Sequence, residues 1–125
     1  MTIAGIHHLE LTVSDLERSK RFYEKLPGLK IVANYPGFIM FAGKGFYLGL
    51  TDHAHNQKEK VFREQNVGLD HVSFSVAKRE ELDEAIKFFE RENISHGEIK
   101  ELSNKLFVLA FRDPDNIQLE LAWKG

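Results

Sequence analysis

From Ile6 to Val13 apolar and polar side chains alternate. Leu9, Leu11 and Val13 fall on one face, and His8, Glu10 and Thr12 on the other. That period of two predicts a strand over residues 5–13. Ser14-Asp15-Leu16-Glu17 follows and reads as a capping box, the Ser14 hydroxyl accepting from a first-turn amide while Glu17 reaches back. Leu16, Ser19, Tyr23 and Leu26 then recur at helical spacing, with Phe22 beside them, and Pro27-Gly28 ends the helix. Three short strands are predicted next, at 29–34, 37–42 and 46–51, the last two joined by a tight turn at Gly43-Lys44-Gly45.

Residues 52–66 are polar and form the one candidate connector, with room for a helical turn near Val61 and Phe62. The pattern then restarts. Residues 68–76 alternate, with Val72, Phe74 and Val76 on one face and His71, Ser73 and Ser75 on the other. Leu82, Ala85, Ile86 and Phe89 predict a helix over 81–93. Strands follow near 97–102, 106–111 and 117–123, with a turn at Asp113-Pro114-Asp115-Asn116 in which Asn116 sits where positive φ is expected.

Both halves thus read strand-helix-strand-strand-strand. His8 matches His71 at an offset of 63, the helices match at 66, and residues 46–50 match 117–121 at 71. The offset grows only at turns, where insertions are tolerated. The reading is a duplicated module: module 1 at about 1–52, a connector at about 53–66 and module 2 at about 67–125, together one domain. Half a domain buries little surface alone, so the halves are expected to pack together.

Composition narrows the function classes. Hydrophobic residues make up 42% of the 125 residues and ten are Phe, which fits a folded core and not a disordered chain. A formal charge of −2 gives no basic excess for nucleic acid. The absence of Cys removes disulfides, thiolate metal sites and a Cys nucleophile. No apolar run is long enough for a bilayer, and the N-terminus lacks the pattern of a signal peptide, so the expectation is a cytoplasmic protein without membrane or nucleic-acid partners.

Each half leaves a polar stripe on the face of its first strand that its helix does not cover, and His8 and His71 occupy equivalent places there. On the last strand Gln118 and Glu120 face away from Leu119 and Leu121. If the first and last strands of both modules curl around a shared cavity, His8, His71 and Glu120 converge. Two imidazoles and one carboxylate hold a divalent metal with coordination positions left open. Taken singly, each residue reads as a structural or solvated side chain; their mirrored placement is what raises the metal reading.

The segments Gly5–Ser19 with Phe22-Tyr23, Gly68–Phe74 and Phe111–Leu121 resemble, in order, the opening, second-module opening and closing motifs of the glyoxalase/bleomycin resistance/dioxygenase family, the vicinal oxygen chelate superfamily. The resemblance covers nearly the whole chain. It implies an α+β fold of two tandem βαβββ modules forming a cup-shaped mixed sheet with helices outside, a homodimer, and His8, His71 and Glu120 as ligands of one divalent ion (Mn, Fe, Zn, Ni or Co). Glyoxalase I and the related epimerases take a fourth ligand from the last strand of module 1, where this chain has Gly49. Extradiol dioxygenases carry a Tyr ten residues before the ligating Glu, where this chain has Ala110, and usually hold a second pair of modules, for which 125 residues leave no room. Fosfomycin resistance thiol transferases usually place Thr where this chain has Glu10.

Glu10 reads as a general base, as a group binding a cationic or hydroxyl-bearing part of a small substrate, or as a carboxylate at a solvated rim. Tyr47 and Ser73 share the same faces and are candidate substrate-binding residues; Arg112 either pairs an anionic substrate or braces the Asp113-Pro114 turn. His53 and His55 either close over the metal or belong to a solvated loop. His7 is expected on the helix side, His96 in a turn, and Trp123 either lining the cavity or at a dimer seam. The function expected is a metal-dependent enzyme whose ion chelates adjacent oxygens of a small molecule, of lyase, thiol-transferase or dioxygenase type. The alternative is a non-catalytic protein of the bleomycin resistance type that sequesters a small molecule or drug.

Overall fold

The computed structural model describes all residues, Met1–Gly125. The chain divides into two compact units, Met1–Lys60 and Val61–Gly125, the division falling inside the connector. The first holds β1 (His8–Thr12), α1 (Leu16–Glu24), β2 (Lys30–Tyr35), β3 (Phe38–Gly43) and β4 (Phe46–Thr51). The second holds β5 (Val72–Ser75), α2 (Glu80–Arg91), β6 (Lys100–Leu102), β7 (Leu106–Arg112) and β8 (Gln118–Lys124). Each unit is a βαβββ module with its own four-stranded mixed sheet, in the order β1-β4-β3-β2 and β5-β8-β7-β6. The fold is α+β, as the repeat implies. No helix is long and apolar enough to cross a membrane.

In each module the first strand runs parallel to the last, and the other neighbours are antiparallel. The helix-side rows are apolar and buried. Leu50 lies between Leu11 and Ile39, while Leu48 lies beside Phe41, and Tyr23 of α1 closes over Phe41 at 6.3 Å between rings. In the second unit Val72, Leu119 and Phe111 form one row, and Phe89 of α2 stacks on Phe111 at 4.5 Å.

The helix ends differ from the sequence expectation in detail. Asp15, not Ser14, is the N-cap of α1: its backbone is extended and its carboxylate accepts from the Arg18 amide at 3.0 Å. Ser14 instead accepts from the Arg18 guanidinium. The capping position belongs to the last extended residue, which the four-residue pattern alone does not fix. Helix α2 stops at Arg91, two residues short of expectation, because Asn93 turns left-handed (φ 56°). The Ile94 amide then bonds to the Phe89 carbonyl and the Asn93 amide to that of Glu90, a Schellman ending. Strand β5 begins only at Val72, later than the alternation suggests, and its first partner on β8 is Leu119.

The connector is tied at both ends. After β4 the Asp52 carboxylate accepts from the Ala54 amide, and His53, Ala54 and His55 all adopt positive φ. The Gln57 side-chain amide donates to the Val13 carbonyl. Farther on, the helical turn expected at Val61 and Phe62 does not form. The Phe62 amide donates to the Asp115 carbonyl, and the Asn116 side chain donates to the Phe62 carbonyl. Arg112 grips Glu64 with two bonds of 2.9 and 2.8 Å. The closing turn that receives these bonds is itself rigid: the buried Asp113 carboxylate accepts from the amides of Asp115 and Ile117, and Asn116 takes φ 68° as expected.

Two stability predictions follow from these contacts. The Ser19 hydroxyl is fully buried against the first sheet with no hydrogen-bond partner. A buried unsatisfied hydroxyl costs about 1–3 kcal/mol and Ala is the better helix former, so Ser19→Ala is expected to stabilise the protein by about 1 kcal/mol. A lower urea midpoint for the variant would contradict this. The hydrogen bonds from Arg112 hold the Glu64 carboxyl down from 4.5 to about 2, and Glu64 in turn raises Arg112. A depressed carboxyl contributes stability above its unfolded pKa and loses it as pH falls through its folded one. The stability advantage of wild type over Glu64→Gln should therefore be full above pH 4.5 and vanish near pH 2, read from urea midpoints across that range.

Candidate metal centre

His71 lies immediately ahead of β5, next to Asp70, and Glu120 lies in β8 as the register partner of Ser73. His71 Nδ1 stands 2.8 Å from Asp70 Oδ1. A carboxylate only accepts, so Nδ1 donates and the lone pair of the neutral ring is on Nε2. Asp70 is held in turn by Gln118, whose side-chain amide donates to the Asp70 carboxylate at 3.1 Å and to its carbonyl at 3.2 Å. The free nitrogen, Nε2, faces Glu120 Oε1 at 3.8 Å. That gap is too long for a hydrogen bond. Two ligands each about 2.0–2.2 Å from one ion lie at most about 4.4 Å apart, so the separation suits a shared divalent cation. The pair is accessible: the His71 side chain is 39% and the Glu120 side chain 19% exposed. A carboxylate on the far nitrogen of a ligating histidine fixes its tautomer and raises its basicity.

In the first unit His8 opens β1, exposed on the face away from α1. Its register partner on β4 is Tyr47, while Glu10 pairs with Gly49 and Thr12 with Thr51. Tyr47 is 40% exposed. His7 is not turned toward the helix side as expected. Its Nδ1 is 2.9 Å from His8 Nδ1 and its ring lies 5.4 Å from that of Tyr47. The alternation fails there because regular strand begins only at His8.

The structure brings His71, Glu120 and Ser73 together in the second unit, and His8, Glu10 and Tyr47 on one face in the first. No group of three His, Asp or Glu that could hold a metal ion is gathered anywhere in the chain, so the convergence of His8 with His71 and Glu120 expected from the repeat is not among the contacts seen. Arg112 is engaged by Glu64 and by the Asn116 carbonyl, which is the bracing arrangement. His53 Nε2 meets the Thr12 hydroxyl at 3.0 Å, and His55 Nε2 lies 3.4 Å from the Asp52 carboxylate. His96 makes an isolated bridge to Phe111, and Trp123 packs its ring near Phe107. Sequence reasoning missed Asp70 and Gln118; their signal was an acidic residue beside His71 and an amide two positions before Glu120.

The comparisons with known proteins agree with this architecture. Residues 5–121 match the family described as the Glyoxalase/Bleomycin resistance protein/Dioxygenase superfamily. A crystal structure of a glyoxylase/bleomycin resistance protein/dioxygenase domain from Frankia sp. is 30% identical, with a TM-score of 0.84, covering 99% of this chain and 100% of that one. The metallothiol transferase FosB of Lysinibacillus sphaericus is 30% identical over 80 residues, 64% of this chain and 54% of that protein. The catechol-2,3-dioxygenase of Bacillus subtilis is 37% identical over 87 residues, 66% of this chain and 29% of that protein. With its two βαβββ modules and a family match spanning nearly its whole length, the chain belongs to the glyoxalase/bleomycin resistance protein/dioxygenase superfamily.

Proposed function

We propose that this protein is a divalent-metal-dependent enzyme in which His8, His71 and Glu120 hold one ion, of Mn, Fe, Zn, Ni or Co, that chelates two adjacent oxygens of a small substrate. The observation that carries the reading is the Asp70–His71–Glu120 arrangement: one imidazole nitrogen fixed by a carboxylate, the other presented to a second carboxylate at 3.8 Å. When bound, the ion supplies Lewis acidity to a developing oxyanion. The chain's own residues supply the rest. Asp70 keeps the proton on Nδ1 of His71, so the lone pair of Nε2 is the one turned toward Glu120. Tyr47 and Ser73 line the faces on which the substrate would rest.

Redox-neutral addition, transfer or elimination suits the site better than ring-opening oxygenation. The residue opposite Glu120 across the β7–β8 ladder is Ala110, which has no group to exchange a proton with a bound ring. The similarity to metallothiol transferases makes a small thiol the first co-substrate to test. A homodimer is the proposed assembly, supported by the exposed apolar side chains of Ile6 and Leu69 at equivalent places ahead of β1 and β5.

Elemental analysis of the purified protein, with titration by each of the five ions, tests the reading. About one ion per chain is expected. His71→Ala should abolish binding while leaving the circular dichroism spectrum unchanged, because the buried rows beneath are untouched. Asp70→Asn should weaken affinity roughly 10–100-fold by removing the carboxylate behind the ligand. Full retention of metal by His71→Ala would overturn the site. Metal-dependent loss of free thiol on adding an electrophile with adjacent oxygens would place the reaction among the transferases.

A further inference from the structure

We propose that Glu64 is a positioning residue for His71: it occupies the guanidinium fork of Arg112 and so leaves the Asp70 carboxylate to the imidazole. All four groups belong to the second unit. Arg112 ends β7, and its register partner is Gln118, the first residue of β8. Gln118 is also the residue that holds Asp70, donating to Oδ1 at 3.1 Å and to the carbonyl at 3.2 Å. The same Oδ1 lies 2.8 Å from His71 Nδ1. The cation of Arg112 thus stands beside the group that keeps the carboxylate behind the imidazole. The hydrogen bonds of Glu64 hold the guanidinium above its ordinary pKa; burial opposes them, and the charges of Glu64 and Asp70 add to them. Asp70 is therefore a second anion within the field of Arg112.

Two carboxylates compete for one fork. A guanidinium grips a carboxylate best through two parallel bonds, and that place is taken by one partner at a time. Glu64 has it, with Oε1 on Nη1 at 2.9 Å and Oε2 on Nη2 at 2.8 Å. These bonds keep the Glu64 carboxyl down at about 2, so it stays ionised and in place at any ordinary pH. The connector delivers it: the Phe62 amide donates to the Asp115 carbonyl, and the Asn116 side chain donates to the Phe62 carbonyl. Asp70 is far more open to solvent than Glu64 and is free to turn, its side chain being 69% exposed against 21%. With Glu64 neutralised, Arg112 takes Asp70. A fork on both Asp70 oxygens draws Oδ1 away from Nδ1. The imidazole proton is then no longer fixed, and the ring with its proton on Nε2 turns a proton, not a lone pair, toward Glu120.

The test reads the His71 tautomer in the metal-free protein, by long-range proton–nitrogen NMR at a pH where imidazole is neutral. The ring is assigned by the signal that His71→Ala lacks. Wild type should carry the proton on Nδ1. Glu64→Gln keeps the bulk of the side chain but gives up the ion pair, and its His71 should shift toward the proton on Nε2. Arg112→Met removes the competing fork, so it should keep the wild-type tautomer, and so should Glu64→Gln combined with Arg112→Met. A purely structural brace predicts otherwise, because both single variants break the same pair. The wild-type tautomer in Glu64→Gln, or the Nε2 proton in Arg112→Met, would each overturn the proposal, so either variant decides it if the other fails to fold. The consequence for metal rests on the metal-dependent reading above: Glu64→Gln should weaken Zn(II) binding in calorimetry by about tenfold to a hundredfold, as loss of support behind a ligand does, and Arg112→Met should not. If the wild type binds no Zn(II), the metal reading falls, and the tautomers alone decide the role of Glu64.

Discussion

The pairing of the first strand parallel to the last governs each module. Parallel neighbours cannot be joined by a hairpin, so the chain must cross over, and here the crossover begins with a helix. One helix covers one face of a four-stranded sheet. That face must therefore be apolar, and Leu11, Leu48, Leu50 and Phe41 in one unit and Val72, Leu109, Leu119 and Phe111 in the other meet the demand. The opposite face is released from the core and can carry histidines and carboxylates. The same pairing fixes which side chains are neighbours there: His8 beside Tyr47, Glu10 beside Gly49, Ser73 beside Glu120.

Strand β8 unites support and chemistry in the second unit. Gln118 holds Asp70, Asp70 holds His71, and two positions on from Gln118 the same strand presents Glu120 to His71. An error in β8 register would misplace the carboxylate and release the imbedded support of the imidazole together. The turn ahead of β8 is correspondingly rigid, with two amides bound to the Asp113 carboxylate and the Arg112–Glu64 pair clamping its flank.

Much of this was legible because alternation and repeat are local signals. The apolar rows, the two helices, the left-handed Asn116 and the mirrored histidines all follow from spacing. Features that depend on contacts distant in sequence were not legible. Glu64 reads as one more charge in a polar connector, yet its partner is 48 positions away. Asp70 reads as a strand-flanking acid until Gln118, also 48 positions away, is seen to hold it. The choice between Ser14 and Asp15 as cap turned on a backbone angle, and the direction of His7 on where regular pairing starts. Gly49 is the subtlest case: a Cβ there would crowd Phe38 on β3 and Glu10 on β1, neither of them near it in sequence.

The connector has a consequence for how the gene product can be divided. Its beginning is bonded to the first unit through Gln57 and its end to the second through Phe62 and Glu64, while the few residues between them hold none of these ties. Each sheet is complete within its own unit and borrows no strand from the other. A break in the peptide backbone near Lys58 to Lys60 would thus sever no ladder and expose no core row. The stretch at 58–60 is therefore the point at which the backbone joins two sheets that share no strand.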